Sequence, residues 1–216
     1  MTSIAVIDYG MGNLRSVAKA LEHVAPSASI AVTANAEIIA AAERVIFPGV
    51  GALRDCMTEL RRLALDQVIR ELAASGKPLL GICLGMQALL DWSEENGGSA
   101  GLGILPGKVL HFAAGQTDPR TGEPLKVPHM GWNQVHHSGG HPLWRDIPQD
   151  SRFYFVHSYY ARPDNSADCV GTTHYGLDFA SVLARKNVFA AQFHPEKSQQ
   201  AGLTLLRNFA EWNGTL

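Results

Sequence analysis

The sequence predicts a single-domain α/β fold: an open, mostly parallel sheet with helices on both faces and an antiparallel extension in the second half. Three observations predict it. Short runs rich in Ile, Val and Leu alternate with helix-period stretches through residues 4–92, the order that a parallel sheet covered on both faces requires. From residue 108 onward β-like runs follow one another with few helices between them, which favours hairpins. The 216 residues, 46 % of them apolar, suffice for one large core.

The elements follow in order. Residues 4–8 (IAVID) read as a buried strand. In 14–23 the apolar residues Leu14, Val17, Ala18 and Leu21 have helical spacing. Residues 29–33 form a second strand, and the Ala-rich 34–42 a short surface helix. Residues 44–47 (RVIF) form a third strand, stopped by Pro48-Gly49. Residues 53–74 read as helix in two pieces, 78–83 (PLLGIC) as a fourth strand, and 84–92 as a helix that begins at once. Residues 93–103 are a Gly/Glu-rich loop. Strands are expected at 108–112, 127–135, 153–161, 169–174, 180–184 and 188–192, with a solvated excursion at 113–124 (AAGQTDPRTGEP). A closing helix covers 198–212, with Leu203, Leu206, Phe209 and Ala210 on one face. There is no internal repeat.

Charge excludes several functions. The 18 basic and 20 acidic residues leave a net charge of -2 with no Lys/Arg block, which argues against nucleic acid and against a polybasic membrane anchor. The start, MTSIAVIDYG, lacks a positive region, and Asp8 interrupts its apolar run, so it does not read as a signal peptide. No stretch approaches the roughly 18 consecutive apolar residues of a membrane span. Cys56, Cys83 and Cys169 are odd in number and far apart, so a reducing, cytoplasmic setting is expected rather than a disulfide framework.

Gly81-Ile82-Cys83-Leu84-Gly85 stands where a strand meets a helix. This is the elbow pattern of a nucleophile, with Cys in place of Ser. The glycines let the flanking segments approach each other around a strained residue. The turn lifts the sulfur above the carboxyl edge of the sheet and toward a helix N-terminus, where thiolate is favoured. Cys56 and Cys169 have no such setting and read as small buried hydrophobes.

A thiol nucleophile needs a base that takes its proton and later protonates the leaving group. His194, in Phe193-His194-Pro195-Glu196, suits that role. Glu196 lies two residues on, on the same side of an extended chain, where its carboxylate fixes the imidazole tautomer. His136, His137 and His141 have spacing suggestive of a metal, but no cysteine or carboxylate cluster joins them. No metal and no cofactor are expected. Pro48-Gly49-Val50-Gly51 ends the third strand. Acyl chemistry builds negative charge on a carbonyl oxygen, and two backbone N–H groups are the usual answer. Leu84 N–H is one candidate; Val50 and Gly51, in a loop free to switch between two states, supply the other.

GICLGMQ, PGVG and FHPEKS together resemble the class I (triad-type) glutamine amidotransferases. Residues 8–13 (DYGMGN), 129–133 (HMGWN) and 155–159 (FVHSY) bring the resemblance closest to the glutaminase subunits of histidine biosynthesis, over nearly the whole chain. Each segment also has a plain reading: Asn13 as a helix cap, Trp132 as core, 157–160 as alternating strand positions. The resemblance implies one glutamine amidotransferase domain over 1–216 that hydrolyses glutamine to glutamate and ammonia through Cys83, His194 and Glu196. It implies substrate contacts at Gly49, Gln87, Glu95, Ser158 and Tyr159, with Glu95 on the ammonium. The partner it implies is a separate cyclase subunit, a (β/α)8 barrel, forming a heterodimer through Asn13, Met130, Trp132, Tyr154 and Lys197. Ammonia would be channelled to it for synthesis of imidazole glycerol phosphate and aminoimidazole carboxamide ribotide. Two alternatives stay open: a glutaminase for another synthase (vitamin B6 or anthranilate), or a thiol hydrolase on a related fold.

Overall fold

The computed structural model describes residues 2–113, 115–118 and 122–215. The strands are β1 (Ser3–Ile7), β2 (Ser29–Thr33), β3 (Arg44–Gly49), β4 (Leu79–Cys83), β5 (Leu90–Ser93), β6 (Ser99–Ala100), β7 (Leu105–His111), β8 (His129–Gln134), β9 (His136–His137), β10 (Arg152–His157), β11 (Tyr159–Pro163), β12 (Cys169–His174), β13 (Asp178–Arg185) and β14 (Val188–Ala191). The helices are α1 (Leu14–Val24), α2 (Ala36–Ala41), α3 (Leu53–Arg62), α4 (Leu65–Ser75), α5 (Leu84–Ala88) and α6 (Gln199–Glu211).

Among the described residues the main sheet runs β2-β1-β3-β4-β14-β13-β11-β7-β5-β6, with β12 on β13 and β9 on β12. The pairs from β2 to β14 are parallel. From β14 to β7 they are antiparallel. The expected architecture is thus the observed one.

Its cause is visible in single strands. Ile4 and Val6 face one core with Ile46, Leu80 and Ile82, under α1 and α6. Ala5 and Ile7 face the other with Val45, Phe47 and Leu79, under α2, α3 and α4. A strand buried on both sides has no polar alternation, which is why these runs are continuously apolar. In α3 the buried residues Leu53, Cys56, Met57 and Leu60 recur at helical spacing, as do Leu65, Ile69 and Leu72 in α4. Asn35 caps α2 by accepting from Glu37 N–H and Ile38 N–H. No helix among the described residues is long and apolar enough to cross a membrane.

Three expected elements come out differently, the first being the loop expected over 93–103, which carries the short strand β6 paired antiparallel with β5. The helix expected over 84–92 stops at Ala88 and gives way to β5. The chain at 101–105 returns and takes its carbonyls: Leu102 N–H donates to Ala88 O, Ile104 N–H to Leu89 O and Gly103 N–H to Leu90 O. Gly101 permits that approach, since a Cβ there would lie 2.1 Å from Leu90 O. The strand expected over 153–161 is two strands in two sheets. β10 pairs with β8 in a separate two-stranded ribbon, and β11 pairs with β7 and β13. Phe112 N–H holds the bend by donating to Ser158 O at 3.1 Å. Of the excursion expected at 113–124, Ala114 and residues 119–121 lie outside the described residues. The rest turns back on itself, with Asp118 N–H on Glu123 O and Leu125 N–H on Gln116 O.

Candidate active site

The carboxyl ends of β3, β4 and β14 converge on one cleft, where α/β sheets place their ligands. Cys83 ends β4 with φ 54° and ψ -109°, a strained conformation for a residue with a side chain. Close packing enforces it. A Cβ on Gly85 would lie 1.9 Å from Phe47 O, and one on Gly81 2.9 Å from a Leu89 methyl. The elbow therefore needs glycine on both sides of the cysteine. α5 spans only Leu84–Ala88, so its dipole adds little at the sulfur.

His194 leaves the end of β14, and its Nδ1 lies 3.0 Å from Glu196 Oε1. Both side chains are shielded, at 3 % and 0 % exposure. The Glu196 oxygen also accepts from Asn13 Nδ2 at 3.2 Å. Asn13 makes no side-chain cap on α1, so the plain reading of that residue fails. His194 Nε2 is buried without a hydrogen-bond partner and lines the same cleft as Cys83. Burial alone would lower the His194 pKa. The Cys83 sulfur, and after it the Glu196 carboxylate, overcome that and push it up to about 10.

The cleft holds about 430 Å³ and is lined by Val50, Gly51, Cys83, Leu84, Gln87, Glu95, Ser158, Tyr159 and His194 among others. Gly49 is the expected contact that does not line it. Gly49 pairs with Cys83 across β3 and β4. It is wedged so that a Cβ would meet the Tyr9 hydroxyl at 2.3 Å. Gly49 thus supports the loop from behind, while Val50 stands 40 % exposed at the rim. Gln87 is 6 % exposed. Its Nε2 is committed to Tyr159 O at 3.1 Å and Gln192 Oε1 at 3.0 Å. Glu95 Oε2 accepts from Leu53 N–H at 2.8 Å, which anchors the carboxylate at the start of α3.

Of the residues expected at an interface, Met130, Trp132, Tyr154 and Lys197 lie on or against the ribbon, whereas Asn13 stands at the start of α1 on Glu196. Met130 is 64 % and Trp132 43 % exposed, so Trp132 is not core. Trp132 meets Tyr154 edge-on at 6.2 Å between ring centres, and Lys197 Nζ lies 5.9 Å from the Tyr154 ring. A larger depression of about 570 Å³ runs beside Met130, Trp132 and His174; Cys83 and His194 do not line it.

Cys56 is buried, and burial pushes its thiol up to about 12. Cys169 is half-buried with its thiol also raised by burial. His136 pairs with Asp150, His137 stacks on Trp144, and His141 accepts from Leu143 N–H. Among the described residues no group of three such side chains is placed to hold a metal. Sequence reasoning missed Gln192, 3.7 Å from the Cys83 sulfur through its Nε2, and His157, which lines the cleft. Gln192 stands two residues before His194 and shares its side of the strand, a signal that was readable.

Fold and site together define a known class of protein. Residues 5–212 match the class-I glutamine amidotransferase family model, and the chain belongs to that family. Within it, the chain is 62 % identical over 214 residues to the imidazole glycerol phosphate synthase subunit HisH of Nitrosococcus oceani, covering 99 % of each. It is 60 % identical over 213 residues to the same subunit of Methylococcus capsulatus, covering 98 % of this chain and 97 % of that one. Among solved structures, a glutamine amidotransferase aligns with TM-score 0.72 at 18 % identity, covering 97 % of this chain and 99 % of that one. PurLQS from Thermotoga maritima aligns with TM-score 0.70 at 17 % identity, over 97 % of this chain and 98 % of that one. At such identities these two speak for the fold alone.

Proposed function

We propose that residues 1–216 act as one glutamine amidotransferase domain, the glutaminase subunit of imidazole glycerol phosphate synthase, working in the cytoplasm in histidine biosynthesis. One observation carries the chemistry: Cys83 on a strained elbow shares a cleft with His194, whose Nδ1 is held by a buried Glu196. The Cys83 sulfur attacks the carboxamide carbon of glutamine. The oxygen takes up negative charge, received by Leu84 N–H and by an N–H of the Val50–Gly51 segment. His194 protonates the nitrogen, ammonia leaves, and a γ-glutamyl thioester forms. Water gives its proton to His194 and attacks the thioester; glutamate departs and the thiol is restored. Glu95 receives the substrate ammonium, with Ser158, Tyr159, Gln87 and the Gly49 backbone completing the binding site.

Ammonia set free in water would be protonated and lost. The exposed face of Met130, Trp132 and Tyr154, with Lys197 and Asn13 beside it, suits a docked cyclase subunit with a (β/α)8 barrel. The resulting heterodimer passes ammonia on for imidazole glycerol phosphate and aminoimidazole carboxamide ribotide. The test is glutamate release by the chain with and without that cyclase and its nucleotide. Release should rise strongly only with both and vanish in Cys83→Ala. Equal turnover with and without the partner, or an active Cys83→Ala, would overturn the reading.

A further inference from the structure

From the wall of the cleft toward β8 runs a chain of amides and imidazoles, buried apart from the half-buried Asn133, whose mutual hydrogen bonds the reaction above does not use. Its proton positions follow from two backbone carbonyls, which only accept. Asn133 Nδ2 donates to His174 O at 2.9 Å, so that atom is the amide nitrogen, and it meets His129 Nε2 at 3.2 Å. His129 Nε2 is therefore the acceptor. Its Nδ1 carries the proton and donates to His157 Nε2 at 2.9 Å. His157 then holds its proton on Nδ1, which donates to Tyr159 O at 2.8 Å. That carbonyl also receives Gln87 Nε2, whose second N–H goes to Gln192 Oε1. Gln192 is left with its amide nitrogen toward Cys83, 3.7 Å from Sγ. Burial keeps both imidazoles neutral, as this pattern requires, lowering His129 to about 4 and His157 to about 3.

We propose that Gln192 is a further catalytic residue, its side-chain amide donating to the Cys83 sulfur and stabilising the thiolate, with Gln87 the positioning residue that turns the amide that way. This rests on Cys83 being the nucleophile. An N–H on an anionic sulfur strengthens as the charge develops, and Gln192, at 0 % exposure, is shielded from bulk solvent. The sulfur's other close polar contact acts oppositely: Val156 O, 4.0 Å away, accepts from the neutral thiol. His194 and Tyr9 are the titratable groups coupled to the sulfur, and neither replaces a donor that stays charge-neutral. The Tyr159 carbonyl that orients Gln87 also accepts from His157, whose ring is held by His129 on β8, the strand that carries Met130 and Trp132.

The test is alkylation of Cys83 by iodoacetamide across pH in the full chain, read by the mass of the Cys83 peptide, with Cys83→Ala accounting for the other thiols. In Gln192→Met the rate at pH 7 should fall about tenfold, and in Gln87→Met about threefold, with the profile displaced to higher pH. With the partner bound, kcat of Gln192→Met should fall about tenfold with KM within about twofold. An unchanged alkylation profile in folded Gln192→Met overturns the proposal. Should that variant fail to fold, the Gln192 side-chain amide signal in the ¹⁵N NMR spectrum of the unaltered chain decides. It must move with pH in step with the alkylation rate, and a signal that ignores the sulfur overturns the proposal. A fully active Cys83→Ala would instead remove the nucleophile itself, a separate failure.

Discussion

At His194 burial and its neighbours pull in opposite directions, and the neighbours win because the Cys83 sulfur and the Glu196 carboxylate are fixed beside it. Its folded-state pKa, about 10, lies above the ordinary imidazole value of about 6.5. A group raised on folding contributes stability that is fully present below its unfolded pKa and is lost as pH rises through the folded one. The thermal midpoint should therefore fall between about pH 6.5 and pH 10. Cys83→Ala should flatten that slope more than Glu196→Gln, since the sulfur outweighs the carboxylate at this ring. Three superimposable midpoint-against-pH curves would sink the assignment. At this scale the sequence spoke clearly where chemistry is intrinsic to a side chain: a cysteine between glycines, and a histidine two residues before a glutamate. For Gln192 it offered only a position two residues before His194, and for His157 no role at all. An amide or a neutral imidazole has no role until its partners are known, and Gln87 lies 105 residues from Gln192.

Among the elements, the elbow is the most tightly constrained. Adding one methyl group at Gly85 would press a carbon to 1.9 Å from the Phe47 carbonyl oxygen. Gly85→Ala should lower unfolding free energy by about 3 kcal/mol, measured by urea denaturation. Gly140→Ala is the control, because a Cβ there meets nothing within 4 Å; it should stay within about 0.5 kcal/mol. Equal stabilities would refute the packing account. The strands β2 and β12 are readable to the residue, because each run carries its own apolar pattern and stops at its own turn. The helix expected over 84–92 failed for the converse reason. What ends it is a set of N–H groups from residues 101–105, and local periodicity carries no trace of them. The break at Ser158 escaped likewise, since only the choice of pairing strand separates β10 from β11.

At the scale of the whole molecule, the α/β class followed from runs buried on both faces, which no other layer arrangement explains as simply. The ribbon of β8 and β10 did not follow, because an exposed Met and Trp in a strand look like core until the sheet beneath them is known. Trp132→Ala tests what that exposure is for. It should weaken association with the cyclase by about 2 kcal/mol in a titration, the size of an aromatic hot spot. The thermal midpoint of the isolated chain should hardly move, because Trp132 is already 43 % exposed. Unaltered affinity would remove Trp132 from the interface.

The position of β14 between β4 and β13 bears on how the molecule comes into being. During synthesis the amino-terminal strands emerge first, and Cys83 can reach its bend while the segment carrying His194 is still inside the ribosome. β14 pairs with a strand far earlier in the chain, and a pairing of such long range is expected to form late. Until then the sulfur has no base. A chain truncated before His194 should release no glutamate, and the appearance of hydrolytic activity would serve as a clock for the insertion of β14.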